Sequence, residues 1–167
     1  MTWQLAQLNI GRLRAEVDDP SIADFMANLD RINALAEASP GFVWRLQTDE
    51  GNATAIRAFP DDPLMVLNLS VWESIESLAD FAYRSAHTPF LRRRGEWFER
   101  LGEAYLVLWW IPAGTVPTVE EALARLDHLK SVGPSREAFT FRRPYSAVQT
   151  FFGRENSWMP ASPPRRP

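Results

Sequence analysis

One short stretch concentrates the residues with the most chemical reach. Residues 87–111, HTPFLRRRGEWFERLGEAYLVLWWI, hold one of the two histidines, three consecutive arginines and three of the seven tryptophans. An imidazole changes charge near neutral pH, so His87 could act as a general base or as an axial haem ligand. The alternative role is local: capping or packing, with a hydrogen bond to a nearby backbone group. Arg94 is the second candidate. Thr88-Pro89 reads as a helix start, with Thr88 as N-cap. Phe90, Leu91, Arg94, Trp97, Phe98 and Leu101 then fall on one face of that helix. A guanidinium on an apolar stripe must find an acceptor or reach outward. An anionic substrate, a haem propionate or a developing enolate would each serve, as would an internal salt bridge. Arg93, which neighbours Phe90 and Trp97, is the next candidate. Arg92 shares the opposite face with Glu96 and Glu99.

A second group lies on strands. LMVLNLSVWE, residues 64–73, alternates with period two. Met65, Leu67, Leu69 and Val71 make an apolar face. Val66, Asn68, Ser70 and Trp72 make a half-polar one, whose amide and hydroxyl need partners if buried. Asn9, Gln7 and Trp44 can be placed on the same sheet surface. One of Trp109 and Trp110 must also point that way, and Trp110 is the one assigned. With Trp97, these residues would line a flat, aromatic-walled pocket with a few fixed polar groups, suited to a small planar ligand. The alternative is that the aromatics only fill the core. Tyr105 is a lone phenol on the last strand, and nothing in the sequence singles it out.

Composition removes several chemistries. There is no cysteine, so disulfides, thiolate nucleophiles and Cys-ligated metals are excluded. With only His87 and His128 available, no metal site is expected. His128 lies one position off the apolar stripe of its helix and reads as a surface histidine. The net charge of −3 gives no basic field for nucleic acid. No run is long enough to cross a bilayer and no signal-peptide pattern opens the chain, so a cytoplasmic protein is expected. Neither GxGxxG nor a phosphate-binding loop is present, so no nucleotide cofactor is supported. The expectation is no cofactor, with haem as the alternative.

These residues are carried by a regular series of elements. Strands are expected at 3–10, 42–47, 64–73 and 104–111. Asp19-Pro20 opens one helix, Ser74 a second and the Thr88 segment a third. Thr118 and Glu121 form a capping box opening a last helix that Gly133-Pro134 closes. AFTF at 138–141 is a short edge strand or a docking segment. The order is the split βαβ, ferredoxin-like pattern of an α+β domain with an antiparallel four-stranded sheet and an extra C-terminal helix. Residues 1–145 form this domain, and 146–167 an extension in which SPPRRP is expected to be disordered. Such a sheet has helices on one face only. A second copy packed on the bare face would give a homodimeric α-β barrel.

The segments LAQLNIGRLR (5–14), ASPGFVWRLQ (38–47), LSVWESIESLADFAYRSAH (69–87), RRRGEWF with LWWIPAG (108–114), and PTVEEALARLDHLKSVGPSREAFTFR together resemble the bacterial domain of unknown function 3291 family over roughly residues 3–143. The resemblance implies the dimeric α-β barrel of the antibiotic-biosynthesis monooxygenase-like superfamily. That superfamily includes cofactor-free monooxygenases acting on polyketide-like aromatics, isomerases, and haem binders. It implies no residue roles, so function must be argued from the site. The leading expectation is a small-molecule enzyme resembling cofactor-independent monooxygenases. In it Arg94 or Arg93 stabilises an oxyanion, His87 moves a proton, and Asn68 with Ser70 orients the substrate. The alternatives are a haem-binding barrel and a non-catalytic dimeric ligand-binding protein.

Overall fold

The computed structural model describes residues 2–147; the expected disorder of SPPRRP lies outside them. The elements are β1 (Trp3–Arg12), a 3-10 turn (Pro20–Ile22), α1 (Ala23–Glu37), β2 (Phe42–Arg45), β3 (Met65–Trp72), α2 (Ile75–Arg84), α3 (His87–Arg92), α4 (Arg94–Trp97), β4 (Leu106–Pro112) and α5 (Val119–Val132). Neighbouring strands run antiparallel in the order β2-β3-β1-β4, which is the ferredoxin-like arrangement. The caps fall where side-chain oxygens are available. Asp19 accepts from the Ser21 N–H, Ser74 from the Ser77 N–H, and Thr118 from the Glu121 N–H.

The helix expected from Thr88 onward is broken. Thr88 lies inside α3, and Ala86, which offers no side-chain oxygen, stands at its N-cap. The helical path stops at Arg93 and resumes for one turn as α4. Pro89 lacks a backbone donor and Gly95 has the largest conformational freedom of any residue, so one long helix is poorly supported here.

Along β1, β3 and β4, residues alternate between the two faces of the sheet. On one face Ala6, Leu8, Ile10, Leu67, Leu69, Val71, Val107 and Trp109 form the apolar core. The chain covers this face itself. Ala122, Leu126 and Leu129 of α5 pack on it, joined by Leu46, Ile56, Ala58 and Phe59 from the β2–β3 connection. Trp109 is fully buried there, and its indole N–H donates to Glu121 of α5 at 3.1 Å. A second copy packed on this side would therefore meet α5 and the β2–β3 connection rather than bare strands. Phe139 exchanges two backbone hydrogen bonds with Leu108, so the 138–141 segment extends the sheet beyond β4.

The opposite face carries Leu5, Gln7, Asn9, Asn68, Ser70, Trp72 and Leu106, under α1, α2 and α3. On this face the row of β1 side chains ends at Gly11, which stays paired with Val66. A Cβ at this position would lie 2.6 Å from Cδ1 of Phe98, so the absent side chain is what lets the Phe98 ring rest on β1.

Candidate functional site

A cavity of about 360 Å³ lies between the half-polar sheet face and the helices. Its size is at the small end for ligand pockets, about 300–1,000 Å³. Asn68 reports the opening directly. It is exposed, although its strand neighbours Leu67 and Leu69 are 6% and 1% exposed.

Asn9, Gln7, Asn68 and Ser70 form the floor. Their mutual bonds consume acceptors. The Gln7 Nε2 group donates to the Asn9 Oδ1 at 3.2 Å, to the Asn68 carbonyl at 3.1 Å and to the Asn68 Oδ1 at 3.4 Å. The Trp72 indole N–H donates to Ser70 Oγ at 3.0 Å. Each of these oxygens is turned toward a donor within the floor. The Nδ2 groups of Asn9 and Asn68 and the hydroxyl hydrogen of Ser70 therefore remain for a ligand. Beside the Gln7 Oε1 acceptor, the floor thus offers three donor groups, which suit a carbonyl or oxyanion.

The roof is aromatic. Phe25 of α1 stacks with Phe90 of α3 at 5.9 Å, and Phe90 lies 4.9 Å from Trp97. Phe81 stacks on Trp72 at 5.2 Å and on the His87 ring at 4.8 Å. His87 Nδ1 lies 3.2 Å from the Ala82 carbonyl oxygen. A carbonyl can only accept, so Nδ1 carries the hydrogen and Nε2 keeps its lone pair. Nε2 has no hydrogen-bond partner among the described residues, yet it is not sealed off from solvent. Burial lowers the pKa of this imidazole below its ordinary value, against the smaller upward pull of the Ala82 bond. His87 is thus a neutral base facing the cavity.

Arg94 stands at the mouth. Its guanidinium carbon lies 4.5 Å from the Tyr105 ring centroid and 6.0 Å from that of Phe98. Tyr83 is the third group here. Its hydroxyl pKa is raised, first by burial and then by the nearby Tyr105, while Arg94 pulls it down.

Seven of the sequence candidates line this cavity: His87, Arg94, Asn9, Asn68, Ser70, Trp72 and Trp97. Three do not. Arg93 points outward and is held by Asp24 at 2.8 Å and Glu96 at 2.9 Å. Trp44 packs into the apolar core on the other side of the sheet. A bulge between Phe42 and Trp44 is the reason: Phe42 pairs with Trp72 but Trp44 with Val71, so the two no longer share a face. Trp110 is on the expected face but beyond the cavity, with its indole N–H bonded to the Tyr145 carbonyl at 2.7 Å. His128 is near the surface as expected, with Nε2 3.2 Å from Ser135 Oγ.

The sequence reading passed over Asn33 and Arg45. Asn33 lines the cavity from α1, is 8% exposed, and has no side-chain hydrogen bond among the described residues. Arg45 also lines the cavity, paired with Glu37 at 2.8 Å.

The sequence profile of the domain of unknown function (DUF3291) matches residues 4–152. The chain belongs to the DUF3291 family. No curated protein gives a significant sequence match to this DUF3291 chain. Among solved structures it is similar to SnoaB, a cofactor-independent oxygenase from Streptomyces nogalater, at 15% identity with a TM-score of 0.42, over 69% of this chain and 98% of that one. It is also similar to Rv0793 from Mycobacterium tuberculosis, at 14% identity with a TM-score of 0.42, over 69% of this chain and 99% of that one. No group of three His, Asp or Glu side chains among the described residues is placed to hold a metal ion, and no helix among them is long and apolar enough to cross a membrane.

Proposed function

We propose that this DUF3291 protein is a small-molecule enzyme that deprotonates a planar phenolic or enolic substrate in the cavity, as a cofactor-independent monooxygenase must before dioxygen can react. The observation that carries this reading is the state of His87: neutral, fixed in one tautomer by Ala82, and lining the cavity with Nε2 unpartnered among the described residues. Nε2 takes the proton. The donor floor of Asn9, Asn68 and Ser70 stabilises the oxygen on which charge develops. The carbon that shares the negative charge of the resulting anion, and still bears a hydrogen, then bonds to O2, which accepts two electrons from it. The peroxide takes a proton back from His87. Loss of water with the remaining hydrogen on that carbon leaves a carbonyl. One oxygen atom stays in the product and the other departs as water, so no external reductant is consumed.

Haem is the alternative cofactor, and the residues fit it poorly. His87 Nε2 could serve as an axial ligand, its Nδ1–H held as ligating histidines usually are. Two propionates, however, need cations. Arg45 is committed to Glu37, and Arg94 stands alone at the mouth.

The test is turnover of an anthrone-like substrate under O2 by wild type and His87→Ala. The variant is expected to lose about 10²- to 10⁴-fold in kcat, the usual share of a general base. Undiminished kcat in His87→Ala would remove the proposal.

A further inference from the structure

We propose that Arg94 anchors a carboxylate on the substrate, so that the cavity takes aromatic carboxylates in preference to neutral aromatics of the same size. This rests on the reading above only in treating the cavity as the ligand site.

The charge inventory is lopsided. Among the described residues that line the cavity there is no Asp or Glu, while Arg45 and Arg94 both do. Arg45 is neutralised by Glu37. Arg94 has no ion pair and no hydrogen bond among the described residues. Arg92 and Arg100 are also unpaired among the described residues, but neither lines the cavity; Arg93 is matched by Asp24 and Glu96, and Arg12 by Asp62 and Glu99. In place of an anion, Arg94 has the Tyr105 ring 4.5 Å from its guanidinium carbon. This contact leaves the N–H donors of the guanidinium without a protein acceptor, so they can meet a carboxylate in the bidentate fork.

Position supports the same conclusion. Arg94, Phe98 and Tyr105 also line an outer groove of about 590 Å³. Arg94 therefore stands at the boundary between groove and cavity. A ligand whose ring system fills the aromatic interior would leave its charged group at this boundary. The two glutamates of the groove, Glu99 and Glu103, are taken by Arg12 at 2.9 Å and Lys130 at 3.0 Å. Asn33 also lines the cavity, with no side-chain hydrogen bond among the described residues, so its amide is a further polar group available to a ligand.

Binding can be read without turnover, because Trp72 and Trp97 line the cavity and their fluorescence reports occupancy. The probes are 1-hydroxy-2-naphthoate and its neutral isostere 1-hydroxy-2-naphthamide. Wild type is expected to bind the carboxylate about ten- to a hundredfold more tightly at low salt. Arg94→Gln should abolish that ratio and leave carboxamide affinity within about twofold of wild type, which also shows that the variant is folded. Arg94→Lys should keep part of the ratio, having the charge without the fork. Equal affinities in wild type, a ratio that survives Arg94→Gln, or no binding of either probe would overturn the proposal. His87→Ala should keep the full ratio while losing turnover. Failure of the carboxylate anchor is thus separable from failure of the base.

Discussion

The Ala82 carbonyl oxygen fixes the tautomer of His87, accepting from Nδ1 at 3.2 Å across one turn of chain between α2 and α3. The bond has two consequences. It leaves the basic nitrogen on the cavity side, and it ties that nitrogen to the junction where the helical path bends.

The first consequence fixes a pH dependence. Burial lowers the folded-state pKa of His87 below the ordinary value of about 6.5. Between the folded and the unfolded pKa, the unfolded chain binds more protons, so stability rises with pH in that window. The His87 contribution is complete above about pH 6.5 and is lost as pH falls toward the folded pKa. Urea midpoints of wild type and His87→Gln, compared from pH 7.5 down to 5, should converge or cross as this contribution disappears. A gap that stays constant across the window would mean that the imidazole is not desolvated.

Arg93 and Arg94 are adjacent in sequence and opposite in role. Arg93 is spent on Asp24 and Glu96, and these hydrogen bonds raise its pKa further. Its guanidinium also lies 4.7 Å from the Trp97 ring centroid, on the side away from the cavity lining. Arg93→Gln is therefore expected to leave kcat and KM within about twofold of wild type, as surface substitutions usually do. A tenfold loss of kcat/KM in that variant would put Arg93 back among the site residues.

The half-polar face was legible because period two is unforgiving: Asn68, Ser70 and Trp72 must share a side of β3, and Gln7 and Asn9 a side of β1. Trp44 was misplaced by one extra residue in β2, which no pattern in FVWRLQ announces. Helical spacing ranked Arg94 above Arg93, and the cavity lining agrees, but the outward ion pairs of Arg93 with Asp24 and Glu96 carry no signal in the spacing. Tyr105 reached the site through strand register and Asn33 through helix packing; a lone phenol or amide carries no spacing signal. The cover over the apolar face was missed for a related reason. Leu46, Ile56, Ala58 and Phe59 belong to an irregular connection, and only their packing shows that they act together.

Haemin gives a separate check on the cavity. Among the described residues that line the cavity, Arg94 is the one arginine without an acidic partner, and two propionates call for a second. Titration of purified protein with haemin should therefore produce no His87-dependent Soret shift. A shift present in wild type and absent in His87→Ala would make haem binding the better account of the same Nε2.

The self-covered sheet face makes the last prediction. Leu126 is 2% exposed beneath α5, against strands that contribute Leu8, Leu69 and Trp109, each 1% exposed or less. Truncation there leaves a cavity that the rigid sheet cannot close, so Leu126→Ala should cost about 2–5 kcal/mol by urea denaturation. The origin of the cover has its own signature. Where a face is covered by a second copy, stability depends on protein concentration, because association is part of folding. Here α5 and the β2–β3 connection supply the cover in the same chain. The wild-type urea midpoint is expected to stay fixed over a hundredfold range of concentration. A midpoint that climbs with concentration would show that a second copy contributes to this face after all, and that α5 yields its place to it.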